Sequence, residues 1–194
     1  MTSPYTFNKR IMTGSMSNVF DLNGPDGRVI LKVATAHNAK REWKNLKRLK
    51  RVHNVPEPIA YFGDSSLEDK LGIKLNIFGG YTTAFMMEYV PNAAHLLGNK
   101  QDYTFFRHVK DIAENVFEHN LGLTSDARNP TNMLVSYGQP WMIDWCFANC
   151  LPRKKKERKE CLGGHYYLLF ELESRHTISE KRVFTNPFPR VRIF

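Results

Sequence analysis

The spacing of apolar and polar residues changes several times along the chain, and each change marks an element. Over residues 17–34, "SNVFDLNGPDGRVILKVA", two apolar runs flank "NGPDG". Asn, Gly, Pro and Asp supply the backbone angles of a reversal, so this stretch predicts two antiparallel strands. From about 37 to 52 the apolar positions recur at helical spacing in a basic background, which predicts a helix. "PEPIAYFGD" reads as an extended connection, and "KLNIF" and "TAFMMEYV" read as strands. Phe105, Val109, Ile112 and Val116 then fall on one face of a helix over 103–120, with Gly122 just beyond its end. "NMLV" and "WMID" predict a second hairpin, followed by a basic run, an apolar helix in "YYLLFELE" and a Pro-containing tail. The order of strands, helix, strands, helix, hairpin and helix predicts an α+β protein. An N-terminal antiparallel sheet lobe with a helix would span residues 1–90, and a reduced helical lobe residues 91–194.

Composition adds bounds to this picture. A chain of 194 residues, 42% hydrophobic, holds enough material for one compact domain or two small lobes sharing a cleft. No apolar run approaches the roughly 18 residues of a membrane span, and "MTSPYTFNKR" lacks the pattern of a signal peptide, so a cytoplasmic location is expected. Three cysteines clustered late in the chain form no disulfide framework, in keeping with a reducing compartment.

The net charge of +9 is concentrated in two places. Residues 37–53 carry seven Lys and Arg against Glu42, and "RKKKERKE" at 153–160 carries six against two Glu. Such clusters attract phosphate-rich or acidic partners; they also serve as solvated helix faces or loops. Nucleic-acid binding is the weaker reading, because the aromatics are not interleaved with the charges as a stacking platform would require.

Two pairs of residues carry candidate chemistry. In "VILKVA", Lys32 shares its face of the strand with Ile30 and Ala34, while the opposite face holds Val29, Leu31 and Val33. Both faces read as buried, so the ammonium needs an anion. On a helical projection Glu42 falls between Leu46 and Leu49, inside the apolar stripe that includes Ala39 and Trp43, and it is the expected partner. The alternative is that both side chains snorkel to water. In the second hairpin, a turn centred on Gly138 would set Asn132 opposite Asp144, with Cβ atoms about 5 Å apart. An amide oxygen and a carboxylate at that distance can share Mg²⁺; the same two residues also serve elsewhere as strand-end caps.

Taken in order, "GSMSNVF", "VILKVA", "AKREWKNLKRL", "FMMEYVPN", "NPTNMLV" and "MIDW" resemble the motif series of the protein-kinase-like superfamily. Its small bacterial branch is most similar: the lipopolysaccharide-core and Kdo kinases and the short PhoP-regulated kinase-like proteins. The resemblance spans roughly residues 10–147 and implies a minimal two-lobed kinase-like fold that uses ATP and Mg²⁺. Lys32 would grip the α- and β-phosphates, with Glu42 positioning it. Met87 would guard the back of the adenine pocket. Glu88 and Val90 would offer hinge backbone groups to the base, with side-chain identity there of little consequence. Asn132 and Asp144 match the metal ligands, and "IDW" replaces the usual Asp-Phe-Gly.

Two departures stand out. In the phosphate loop, aligned on Val19, only Gly14 fits; Met12 and Ser17 occupy the other glycine positions. The catalytic base position, five residues before Asn132, falls on Ala127, and Asp126 lies one residue earlier. A bulge in "DARNPTN" would return Asp126 to the attacking hydroxyl; without one, the chain binds nucleotide but transfers poorly. Arg128 would neutralise the γ-phosphate, or is a surface arginine.

About 50 residues follow Asp144, so the segments that hold peptide substrates in larger kinases are expected to be missing or reduced, and "RKKKERKE" is the candidate holder of an acidic or phosphorylated substrate. The expected activity is transfer to a hydroxyl of protein Ser/Thr or of a sugar. The alternative is a pseudokinase that regulates by binding. Cys146, Cys150, Cys161 and His165 also run C-x3-C-x10-C-x3-H, a potential Cys3His zinc set whose spacing fits no common finger.

Overall fold

The computed structural model of the protein describes residues 4–13, 17–63, 67–75, 77, 81–122, 129–152, 154–178 and 183. It is an α+β structure of two compact units, one formed by residues 1–50 and 56–89, the other by 51–55 and 90–194.

The first unit is built on a five-stranded antiparallel sheet of order β1-β2-β3-β5-β4. Its strands are β1 (Thr6–Thr13), β2 (Ser17–Gly24), β3 (Gly27–Ala34), β4 (Pro58–Phe62) and β5 (Thr83–Glu88), with helix α1 (Ala36–Leu49) after β3. The expected β2–β3 hairpin forms: Gly24 pairs with Gly27 around Pro25 and Asp26, and Gly27 supplies a φ of +121°. β3 lies at the centre of the sheet and is buried on both faces from Ile30 to Ala34. One face carries Phe20, Leu22, Leu31, Val33, Ala84 and Met86, and packs on Leu67 and Leu71 of helix α2 (Leu67–Leu71) and on Leu75. On the opposite side, α1 is capped by the Thr35 hydroxyl, which accepts from the Asn38 amide at 3.3 Å.

Three local readings change. β1 carried no strand signal because it is a sheet edge: Phe7 and Ile11 are exposed, and two register irregularities break the period of two. "PEPIAYFGD" contains β4 and is more than a connection; Pro58 opens this opposite edge strand, where a missing N–H is tolerated. In "KLNIF", Lys74, Leu75 and Ile77 belong to no strand, and Leu75 is instead buried against the core; Asn76 and Phe78 lie outside the described residues.

The second unit holds helix α3 (Tyr103–Glu118) and helix α4 (Lys155–His176). Its short strands are β6 (Ala94–His95), β7 (Leu121–Gly122), β8 (Met133–Ser136), β9 (Gln139–Met142) and β10 (Asn149–Cys150). They form a sheet of order β6-β8-β9 and a β7-β10 pair. Asp102 caps α3 by accepting the Phe105 amide at 3.0 Å, and Phe105, Val109, Ile112 and Val116 are buried as their spacing predicts. The helix turns off at Asn120, in the left-handed region with φ +59°, while Gly122 belongs to β7. α4 contains the expected apolar helix, with Leu169 and Leu172 buried, and also takes in most of the basic run, since it starts at Lys155. Arg158 donates to Asn120 Oδ1 at 2.7 Å and lies over the Phe117 ring. No helix among the described residues is long and apolar enough to cross a membrane.

α3 and α4 are joined by Tyr166, whose hydroxyl donates to Glu114 Oε1 at 2.6 Å. Burial first, then that hydrogen bond and the Glu114 charge, push the phenol pKa up to about 12. Folding therefore favours the neutral phenol. Its contribution is complete below pH 10, where the unfolded chain also keeps its proton, and is lost as pH rises toward 12. Urea unfolding across this window should show wild type losing stability faster than Tyr166→Phe; equal slopes would disprove the linkage.

Candidate functional site

In the first unit the two charges expected to meet do so. Lys32 Nζ lies 3.1 Å from Glu42 Oε1 and 2.8 Å from Oε2, with side chains 8% and 2% exposed. The snorkelling alternative is thereby excluded. Lys32 is set by β-register: it pairs with Val19 on one side and Phe85 on the other, and directly paired residues share a face. Glu42 is set by helix phase, in a buried stripe with Ala39, Asn45, Leu46 and Leu49, while Trp43 is half-buried beside it. The pair thus joins the central strand to α1. The carboxylate grips the ammonium with both oxygens on a buried face that also carries Val19, Ile30, Ala34, Phe85 and Met87.

The same face holds a second charged group that sequence reasoning missed. Asp21, fully buried, accepts from Asn8 Nδ2 at 2.8 Å, from Arg28 Nε at 3.2 Å and from Arg28 Nη2. The hydrogen bond to Asp21 raises the Arg28 guanidinium above its ordinary pKa, against a smaller opposing effect of burial. The guanidinium also stacks 3.8 Å from the centre of the Tyr89 ring. Three strands and the segment leaving β5 are thereby tied at one point. A signal was available: Asp21 interrupts an apolar strand as Lys32 does, and the hairpin register puts Asp21 and Arg28 on a reachable diagonal.

Met87 is buried and pairs with Ile30, on the Lys32 face. Glu88 donates its amide to the Glu57 carbonyl at 2.8 Å, and its Oε2 accepts the Glu57 amide at 3.2 Å. Its side chain thereby ties the end of β5 to the segment leading into β4. Gly14 lies outside the described residues, in the connection from β1 to β2.

In the second unit, β8 and β9 pair with Ser136 opposite Gln139 and Met133 opposite Met142. The turn is the two residues Tyr137 and Gly138, both at positive φ, as the tight hairpin geometry requires. Its centre lies half a residue before Gly138, and this shifts the expected pairing. Asn132 faces Ile143, whose amide donates to the Asn132 carbonyl at 3.0 Å, and Asp144 lies one residue further on. Asp144 adopts the left-handed conformation, φ 62° and ψ 67°, which redirects the chain, and its side chain makes no capping hydrogen bond to the turn it precedes. Asn54, Asn92, Asn120 and Tyr137 share this left-handed conformation, which Asp tolerates better than most residues. Asn132 and Asp144 are both half-buried, and Asn132 Oδ1 lies 3.5 Å from the Thr131 hydroxyl. Asn129 Oδ1 accepts the Thr131 amide and hydroxyl, at 3.1 and 2.8 Å, and fixes the turn leading into β8. Asp126 and Arg128 lie outside the described residues, and Val90 is buried.

Of the potential zinc set, Cys146 is buried, Cys150 exposed and Cys161 half-buried, and the His165 side chain is outside those described. Among the described residues no group of three or more His, Cys, Asp or Glu gathers to hold a metal.

The Lys32–Glu42 pair lends itself to a double-mutant cycle. Lys32→Met or Glu42→Leu alone strands a buried charge and should cost about 3–5 kcal/mol, whereas Lys32→Met/Glu42→Leu should cost well below the sum. Additive costs in urea denaturation would show that the two do not act as a pair.

Compared with known proteins, the sequence matches no family model and no curated sequence.

Proposed function

We propose that the protein is a minimal ATP- and Mg²⁺-dependent phosphotransferase of the protein-kinase-like kind, which transfers the γ-phosphate to a hydroxyl of protein Ser/Thr or of a sugar. The observation that carries this reading is the buried Lys32–Glu42 pair, joining the central strand of an antiparallel sheet to the following helix. A buried ion pair gains little stability over apolar residues of the same size, so its presence argues for a use of the ammonium. Lys32 would neutralise the nucleotide phosphates and Val19, Ile30 and Met87 would contact the base, with Glu88 and Val90 offering backbone groups. Asn132 and Asp144 supply hard oxygen donors of the kind Mg²⁺ takes alongside phosphate. Mg²⁺, when bound, would offset charge on the phosphates. Asp126 would accept the proton of the attacking hydroxyl, and Arg128 would stabilise charge on the γ-phosphate.

A pseudokinase reading has one observation in its favour: Ala127 stands where the base is expected. Thermal unfolding and γ-phosphate transfer discriminate between the two. ATP with Mg²⁺ at about 100 times Kd should raise the melting temperature by roughly 5–10 °C. Lys32→Met should lose most of that shift relative to its own baseline, and Asp144→Asn should lose its dependence on Mg²⁺. Transfer that disappears in Asp126→Ala supports the enzyme; a thermal shift with no transfer to the protein itself or to offered hydroxyls supports the pseudokinase. Absence of both would overturn the proposal.

A further inference from the structure

The outer face of α1 presents Lys40, Lys44 and Lys47, all exposed, followed by exposed Lys50 at the helix end. At 100° per residue the first three fall within a sector of about 60°. Glu42, the sole acid of the helix, is turned inward and bound to Lys32, so nothing on α1 offsets this row. Trp43 sits three residues after Lys40 and four before Lys47, which makes it a neighbour of both on the helix surface. Its ring lies 5.8 Å from that of Tyr61 on β4, which is 37% exposed, and 6.3 Å from Phe85 beneath. Tyr61, distant in the sequence, is therefore placed beside Trp43 at the flank of the lysine row.

We propose that this surface, α1 with Tyr61 beside it, binds single-stranded nucleic acid. Flexible point charges match a phosphate backbone without demanding a base sequence, and rings at their flank stack on bases that a single strand leaves open. A duplex hides its base faces and would leave Tyr61 unused. A membrane would favour apolar groups projecting past the lysines, whereas Trp43 is half-buried and packed on Phe85. The inference is independent of the phosphotransfer reading.

The test is fluorescence anisotropy of the full chain with a labelled 20-nucleotide oligo(dT). Binding should weaken steeply with salt. Lys40→Gln/Lys44→Gln/Lys47→Gln should lower affinity and reduce the slope of log K against log salt by about 2, near 0.7 for each phosphate no longer neutralised. Tyr61→Leu should cost five- to tenfold with the salt slope unchanged, and Tyr61→Phe, which keeps the ring, should bind as wild type. The lysine substitutions lie on an exposed surface, so they decide the matter even if Tyr61→Leu fails to fold. Three results would overturn the proposal: no binding at low salt, full affinity in the triple variant, or equal affinity for poly-glutamate or for vesicles rich in phosphatidylserine.

Discussion

An ammonium and a carboxylate buried against each other, Lys32 and Glu42, constrain how the central strand of the first unit meets its helix. Each is costly alone, so β3 and α1 must adopt the register and rotation that bring them together. A one-residue slip of β3 would send Lys32 into the apolar layer of Phe20, Leu31 and Met86, and would expose that layer's residues on the wrong face. Turning α1 by one residue, about 100°, would carry Glu42 out of the stripe it shares with Leu46 and Leu49. The pair selects one arrangement from several that apolar burial alone would permit.

This constraint gives the two faces of the sheet different tasks. One is mainly apolar, with Asn18 buried among its aliphatic and aromatic side chains, and closes on α2. The other holds both buried charges of the central strands, Lys32 and Asp21, each fixed by a partner of opposite sign. Lys32 is held by a residue as buried as itself, whereas Arg28 stays partly in water while it stacks on Tyr89. Asp21 and Arg28 tie the strand ends to the segment that leaves β5.

In the second unit the controlling features are backbone conformations. Tyr137 and Gly138 at positive φ make the β8–β9 turn two residues long, and this alone decides what lies opposite Asn132. Asp144 in the left-handed region breaks the strand alternation, so its side chain is aimed by local geometry and not by the ladder. α3 and α4 are held by apolar burial and by Tyr166 on Glu114, with the first turns of α4 drawn from a run of charge.

Where burial is periodic, the sequence by itself determined the outcome: β2 and β3 around their turn, the phase of α1 that buries Glu42, and the buried face of α3 all follow from spacing. Edge strands were illegible because β1 and β4 bury too little for period-two patterning to show. Half a residue in the centre of a turn moved Asp144 out of line with Asn132, a difference that backbone angles settle and composition does not encode. Only tertiary structure brought Asn8 to Asp21, Tyr89 to Arg28, and Tyr61 to Trp43 among the lysines of α1. Those contacts join residues far apart in the chain, and they exist only once strand order and register have been chosen.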